Sequence, residues 1–250
     1  MCSQFTSPKN PKAIEKSLGT KIEQSQLDFE WGKEIRFHTQ TPVVMKDKSG
    51  KLKLEMRTFP VSPMPNARMS GLKGQTDGND KGDIDERQIE RIYEKPLWKH
   101  GFEHDPLVIP MASFKEFAYW GPEIGSALAF KVPSEEVLFA AGFGIKTFTP
   151  AGPQGTGVSL ITHVADDEMI MHHFRRICIL PAAKVSEYLS AMSGQERFDC
   201  LSNHIYTGPL EYGVERAMAK GWEKRIEAQT QKLERELTYR ETLKKEGVTA

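Results

Sequence analysis

The rhythm of apolar and polar positions changes along this chain, and each change predicts an element. Over residues 6–33 the helical spacing is weak, with Ile14, Leu18, Ile22 and Leu27 set among polar neighbours and no core-forming face. From Glu34 the pattern turns extended. EIRFHTQTPVVMK and LKLEMRTFPV flank the charged stretch DKSGK, which predicts a β-hairpin turning at Asp47–Gly50. Pro60, Pro63 and Pro65 break the pattern before Asn66-Ala67-Arg68, and the Gly-, Asp- and Lys-rich residues 70–83 predict a surface loop. IDERQIERIYEK predicts a short helix. Strand candidates follow: PLVIPM, SFKEFAYW, EVLFAAGFGIKTF, GVSLITHVA and RRICILP, with DDEMIMHHF as a short helical or looped link. PAAKVSEYLSAM predicts a helix opening with proline. At the end of the chain, Leu210, Val214, Met218, Trp222, Ile226, Leu233 and Leu237 recur mostly at four- and seven-residue steps among Glu, Lys and Arg. That spacing predicts a long amphipathic helix, with one face on the core and the other in water. The division this implies is a domain over 1–205 and a C-terminal helical extension over 206–250. Short strands without a βαβ rhythm or a glycine-rich phosphate loop fit the α+β class.

Composition narrows the function classes. In 250 residues, Lys+Arg and Asp+Glu each count 34, which excludes a uniformly basic nucleic-acid binder and leaves room for a local basic groove. Only three cysteines occur, Cys2, Cys178 and Cys200, with no disulfide framework and no zinc spacing, so a reducing compartment is expected, and no metal or cofactor. The N-terminus lacks an apolar signal region and no run is long enough to span a bilayer, which predicts a cytoplasmic protein, nucleoid-associated in a bacterium or phage, or a nuclear one in a eukaryote.

The chemistry concentrates on Cys2. Removal of Met1 would leave an α-amine and a thiol on one residue, with ordinary pKa values of about 8 and 8.5. Such a 1,2-aminothiol condenses with an aldehyde to an imine, and the thiol then closes a thiazolidine ring. The plain alternative is a small residue at a frayed end.

Separated segments bear on that choice. The chain begins Met-Cys-Ser-Gln-Phe; Asn66-Ala67-Arg68 follows the predicted hairpin; LVIPMASFKEF places Glu116 between Phe114 and Phe117; and Thr162 to Ala165 precede His173-Phe174-Arg175 and an apolar strand. KPLWKHG, at 95–101, precedes the Glu strand. In this order the segments, over residues 1 to about 190, resemble the SRAP family (SOS response-associated peptidase), the DNA–protein crosslinkers of abasic sites. The resemblance implies a mainly antiparallel, barrel-like sheet with surrounding helices. It also implies autocatalytic removal of Met1 and a covalent thiazolidine between Cys2 and the ring-opened sugar of an abasic site in single-stranded DNA. By the same resemblance the catalytic residues are Cys2, Glu116, His173 and Asn66, with Arg68 and Arg175 holding phosphates, in a monomer. Of the neighbouring pairs, His172 is expected to be exposed and one of Arg175 and Arg176 to be a surface charge. His38, His100, His104, His163 and His204 have no ligand spacing, and Cys178 reads as an inert core thiol.

The supporting residues depart from the family pattern. Ser3-Gln4 stands where Gly-Arg is usual, Met-Ser-Gly follows Asn-Ala-Arg, and Ser113 and Phe117 replace Gly and Trp. The His38–Pro42 stretch replaces an Asn-Val-Ala-Pro motif, and the loop near residue 75 reads as an insertion. These departures keep two alternatives open: an N-terminal-cysteine peptidase or hydrolase, and a non-catalytic single-stranded DNA-binding module. The exposed face of the C-terminal helix is a candidate protein contact.

Overall fold

The computed structural model describes residues 4–24, 28–36, 39–59, 73–75, 89–94, 96–149 and 152–246. Near the start, β1 (Gln4–Thr6) leads into α1 (Pro11–Leu18), whose first turn is capped by Asn10 Oδ1 accepting from the Ala13 N–H at 3.0 Å. β2 (Glu23–Gln24) and β3 (Glu34–Ile35) are short, and β4 (Thr39–Lys46) and β5 (Leu52–Phe59) form the expected hairpin, turning at Asp47–Gly50. β6 (Lys73–Gln75) and β7 (Ile89–Arg91) pair with each other. Residues 89–91 were expected in a helix; paired across to β6 they are extended, and a 3-10 turn, Ile92–Glu94, follows. Then come α2 (Pro96–His104), β8 (Pro106–Met111), β9 (Ser113–Phe117), β10 (Ala127–Lys131), β11 (Leu138–Thr149), β12 (Gly152–Leu160), β13 (Thr162–Val164), β14 (Arg175–Ile177) and β15 (Ile179–Leu180). α3 (Ala182–Ser190), α4 (Gly194–His204), β16 (Glu211–Arg216) and α5 (Ile226–Lys245) complete the order.

Two sheets carry the α+β fold. One is wholly antiparallel in the order β16-β10-β9-β1-β3. The other runs β12-β11-β8-β4-β5-β2, with β15 on β11. It is mixed, because β2 and β12 each lie parallel to β5. The β5–β12 contact, Gly157 with Thr58, closes the larger sheet into a ring through one residue pair.

The apolar runs of the ring strands are explained by burial on both faces. Val43, Leu107, Ile109, Met111, Leu138 and Ala140 face one core with Phe5, Phe114, Leu128 and Phe130 of the antiparallel sheet. Their neighbours Val44, Val108, Phe139, Ala141 and Phe143 face a second core under the helices, with Ile14, Phe102, Val185 and Leu201. Period-2 alternation therefore sorts one strand into two cores.

The C-terminal part differs from the helix expected from Leu210 onward. Residues 211–216 are a strand on β10, and only Ile226–Lys245 is α-helical. Four-residue spacing of Leu210, Val214 and Met218 suits a helix, but β10 offers an open edge and Gly213 lowers helical preference, so strand pairing prevails. α5 docks on the domain. Leu233 joins the first core, Glu236 and Arg240 are buried and paired at 3.0 Å, and Lys244 reaches Asp167 at 2.7 Å. Among the described residues, no helix is long and apolar enough to cross a membrane.

Candidate active site

The site is built where β9 and the segment entering β14 meet. On β9 the side chains alternate. Phe114 and Glu116 turn inward, Phe114 stacking on Phe130, while Lys115 turns to the other face and pairs with Glu34 and Glu215. The opposing segment leaves the 3-10 turn Met169–Met171 and carries His173 inward. A backbone bond fastens the two: the Tyr119 N–H donates to the His172 carbonyl at 2.8 Å.

Glu116 and His173 face each other there. Nε2 of His173 lies 3.7 Å from Oε2 of Glu116, and their side chains are 0% and 3% exposed respectively. Burial pushes the Glu116 carboxyl up from its ordinary value, with the positive charge of Arg175 opposing. Burial also pushes His173 well down, and Arg175 acts in the same direction. Burial thus works against the charged form of each group, a carboxylate on one side and an imidazolium on the other. At the far side of the ring, Nδ1 sits 3.0 Å from both the N–H and the carbonyl of Arg175. One tautomer accepts from that N–H and the other donates to that carbonyl, so either is satisfied and Nε2 can present a proton or a lone pair. Stacked Phe174, at 4.6 Å and 15°, and edge-on Tyr119, at 4.9 Å, hold the ring.

Arg175 is buried as well. Its Nε donates to Thr162 Oγ1 at 2.8 Å and its Nη2 to the Thr162 carbonyl at 3.2 Å. Arg176, expected at the surface if Arg175 was not, is fully buried too: it pairs with Asp166, donates to the Gly208 carbonyl at 3.0 Å and lies over Tyr206. Strand alternation sends the two arginines to opposite faces of β14, and both faces are covered. The expectation that His172 is exposed is also corrected. The residue is 7% exposed, because the backbone at 172 is not helical and the ring packs on Tyr212 and Phe130. Cys178 is buried in apolar surroundings that push its thiol far up, as expected of an inert core residue.

Of the residues picked out from the sequence, Glu116, His173 and Arg175 come together. Cys2, Asn66 and Arg68 lie outside the described residues, as do His38 and most of residues 70–83. Sequence reasoning missed Tyr119, which both fastens the His172 backbone and packs on His173. Its signal was the aromatic run FAYW directly after Glu116.

The profile of the SOS response associated peptidase (SRAP) family matches residues 1–245. The chain belongs to the SRAP family. No curated protein matches it. Among solved structures, a protein from Bordetella bronchiseptica is 13% identical with a TM-score of 0.61, covering 86% of this chain and 100% of its own. A phage-related protein from the same organism is 14% identical with a TM-score of 0.61, covering 86% of this chain and 94% of its own. A Bacteroides thetaiotaomicron protein is 13% identical with a TM-score of 0.59, covering 86% and 92%. At these identities the likeness is one of fold.

Proposed function

We propose that this SRAP protein is an abasic-site processor that captures the ring-opened sugar aldehyde in single-stranded DNA as a thiazolidine on Cys2. The observation carrying the reading is the buried Glu116–His173 pair, with burial shifting the two groups in opposite directions, beside the strand that begins the chain. β1 pairs with β9 so that Gln4 is opposite Lys115, next to Glu116. Two residues of extended chain reach at most about 7 Å, and the short span from Gln4 supports a reading in which Cys2 works against that carboxyl.

The steps follow from the groups. The Cys2 amine attacks the aldehyde carbon and gives a carbinolamine. Glu116, protonated, gives its proton to the carbinolamine hydroxyl; water leaves, and the nitrogen returns its proton to the carboxylate as the imine forms. The Cys2 sulfur then bonds to the imine carbon while the thiol proton passes to the nitrogen, so that the ring closes and one water is lost overall. His173 moves the proton between the sugar oxygen and the site, since its Nε2 faces Glu116 and either tautomer is held at Nδ1. Arg175 sets the local field on both groups, and by the family resemblance Asn66 orients Cys2 while Arg68 holds phosphate.

The test mixes purified protein with single-stranded DNA bearing one abasic site, followed by a denaturing gel. A slow-migrating adduct that disappears in Cys2→Ala is expected. No adduct, or an adduct that persists in Cys2→Ala, refutes the proposal. The family's description as peptidases favours a second activity of the same centre, removal of the chain's own Met1. Intact mass decides it: Met1 retained in Glu116→Gln and absent from wild type is expected, and equal processing in both rules out Glu116 as its acid–base group.

A further inference from the structure

We infer that the turn over residues 219–225 is a second contact for single-stranded DNA, with Lys220, Lys224 and Arg225 meeting phosphates and Trp222 offering a stacking face. The inference rests on the reading above for the nature of the strand, and it concerns a part of the chain outside the Glu116–His173 centre.

The turn sits against the site wall. The Trp222 ring meets Tyr119 edge-on at 5.7 Å and 82°, and Tyr119 meets His173 at 4.9 Å. Trp222 is half-buried, so part of the indole is open to a base. Its seat is a built one. The Ala219 N–H donates to the Gly125 carbonyl at 3.1 Å. Gly125 has a φ of +77°, and a Cβ there would come within 2.8 Å of Trp222 Cγ and 2.7 Å of Met218 Cγ. Only glycine allows this approach, so the turn is fixed on the segment that follows Glu116.

Charge in the turn faces solvent. Lys220, Lys224 and Arg225 are exposed, and none ion-pairs with a described residue. Arg225 lies over one face of the Trp222 ring at 5.4 Å, so guanidinium and indole present phosphate and base contacts as one unit. The acidic residue of the turn, Glu223, accepts from the Gly221 N–H at 2.8 Å and so is turned back on the backbone. In a chain of zero net charge, cations interleaved with an open aromatic at the rim of the site form the pattern that tracks a single strand: phosphates on the cations, a base on the ring. The need is visible elsewhere. Gln4 stands where an arginine is usual in the family, and the guanidinium of Arg175 is engaged on Thr162.

The experiment measures binding of the full chain to an undamaged single-stranded oligonucleotide across a salt series, and crosslinking to the abasic oligonucleotide at saturating DNA. In the triple variant Lys220→Ala, Lys224→Ala, Arg225→Ala, affinity should fall at low salt whatever the base sequence. The slope of log affinity against log salt should shrink by about 2, from about 0.7 per lost phosphate contact. Trp222→Ala should weaken binding about tenfold with the slope kept. Wild-type affinity and slope in the triple variant, or no binding of the undamaged strand by wild type, overturns the inference. Weaker binding in the variants with no adduct from wild type overturns the abasic-site reading and leaves the contact standing.

Discussion

The two sides of the larger sheet treat buried polar groups in opposite ways. On the helix side, Arg197 is 2% exposed and donates to the carbonyls of Tyr188, Phe102, Glu103 and Ala191 at 2.5 to 3.3 Å. Those carbonyls lie in the last turns of α2 and α3 or just beyond, where backbone acceptors lack helical partners. One cation closes two helix ends, and the favourable field at a helix C-terminus helps to hold it. On the site side, Glu116 and His173 stand 3.7 Å apart, beyond a hydrogen bond. Beside them Glu123 and His172 repeat the arrangement at 3.7 Å, with Glu123 Oε2 and His172 Nδ1 lacking a hydrogen-bond partner among the described residues. A buried charge bonded on every side fixes structure, whereas a carboxyl and an imidazole that face each other across such a gap can pass a proton through a group seated between them.

The largest expected effect tests the site half. Glu116→Gln keeps the shape of the side chain, so the thermal midpoint should hardly move, while crosslinking should slow by about 10²–10⁴-fold as the proposed proton donor is lost. A rate within threefold of wild type (roughly 0.65 kcal/mol) would make the carboxyl a packing group, like its counterparts across the sheet. Arg197→Leu should do the reverse. It strands carbonyls at two helix ends and should cost at least about 3 kcal/mol in a denaturant titration, while the protein that remains folded crosslinks at the wild-type rate. A stability loss below about 1 kcal/mol would show that Arg197 is no more fixed than the site pair.

The smallest effect is a pH dependence. Burial lowers the pKa of His163 from 6.5 to about 4, and His172 and His173 are lowered for the same reason. The unfolded chain takes up protons on these rings below pH 6.5 and the folded chain does not, so stability should fall as pH drops from 6.5 toward 4. Glu116 acts in the opposite sense, since the folded state keeps its proton where the unfolded chain has released it. For His163 the loss is at most about 3 kcal/mol, and less in proportion to the ring's access to water. Denaturation of His163→Leu at pH 7 and pH 4.5 should show a shallower pH dependence than wild type. An unchanged dependence would move the cause to the other two rings.

Much of the site was legible as residue types. Glu116 between aromatic residues on an apolar strand and His173 before another strand could be picked out, because each sits in one of the ordered segments that resemble the SRAP family. What escaped was contact made across the chain. His172, Arg175 and Arg176 read as one buried and one exposed member of each pair; all are buried, because residues distant in sequence cover both faces. Tyr119 gave only an aromatic signal, and its role depends on a backbone bond to His172.

The sequence by itself determined the hairpin at 39–59, the doubly apolar strands and the family, because these rest on local periodicity, turn chemistry and ordered motifs. Tertiary structure decided the rest. The spacing of Leu210, Val214 and Met218 fits a helix, and an open edge on β10 made residues 211–216 a strand instead. Trp222 became part of the site wall only because Gly125, far away in sequence, lacks a side chain where the indole rests. Local patterns record which face of an element is apolar; they do not record which distant edge or hollow will meet it.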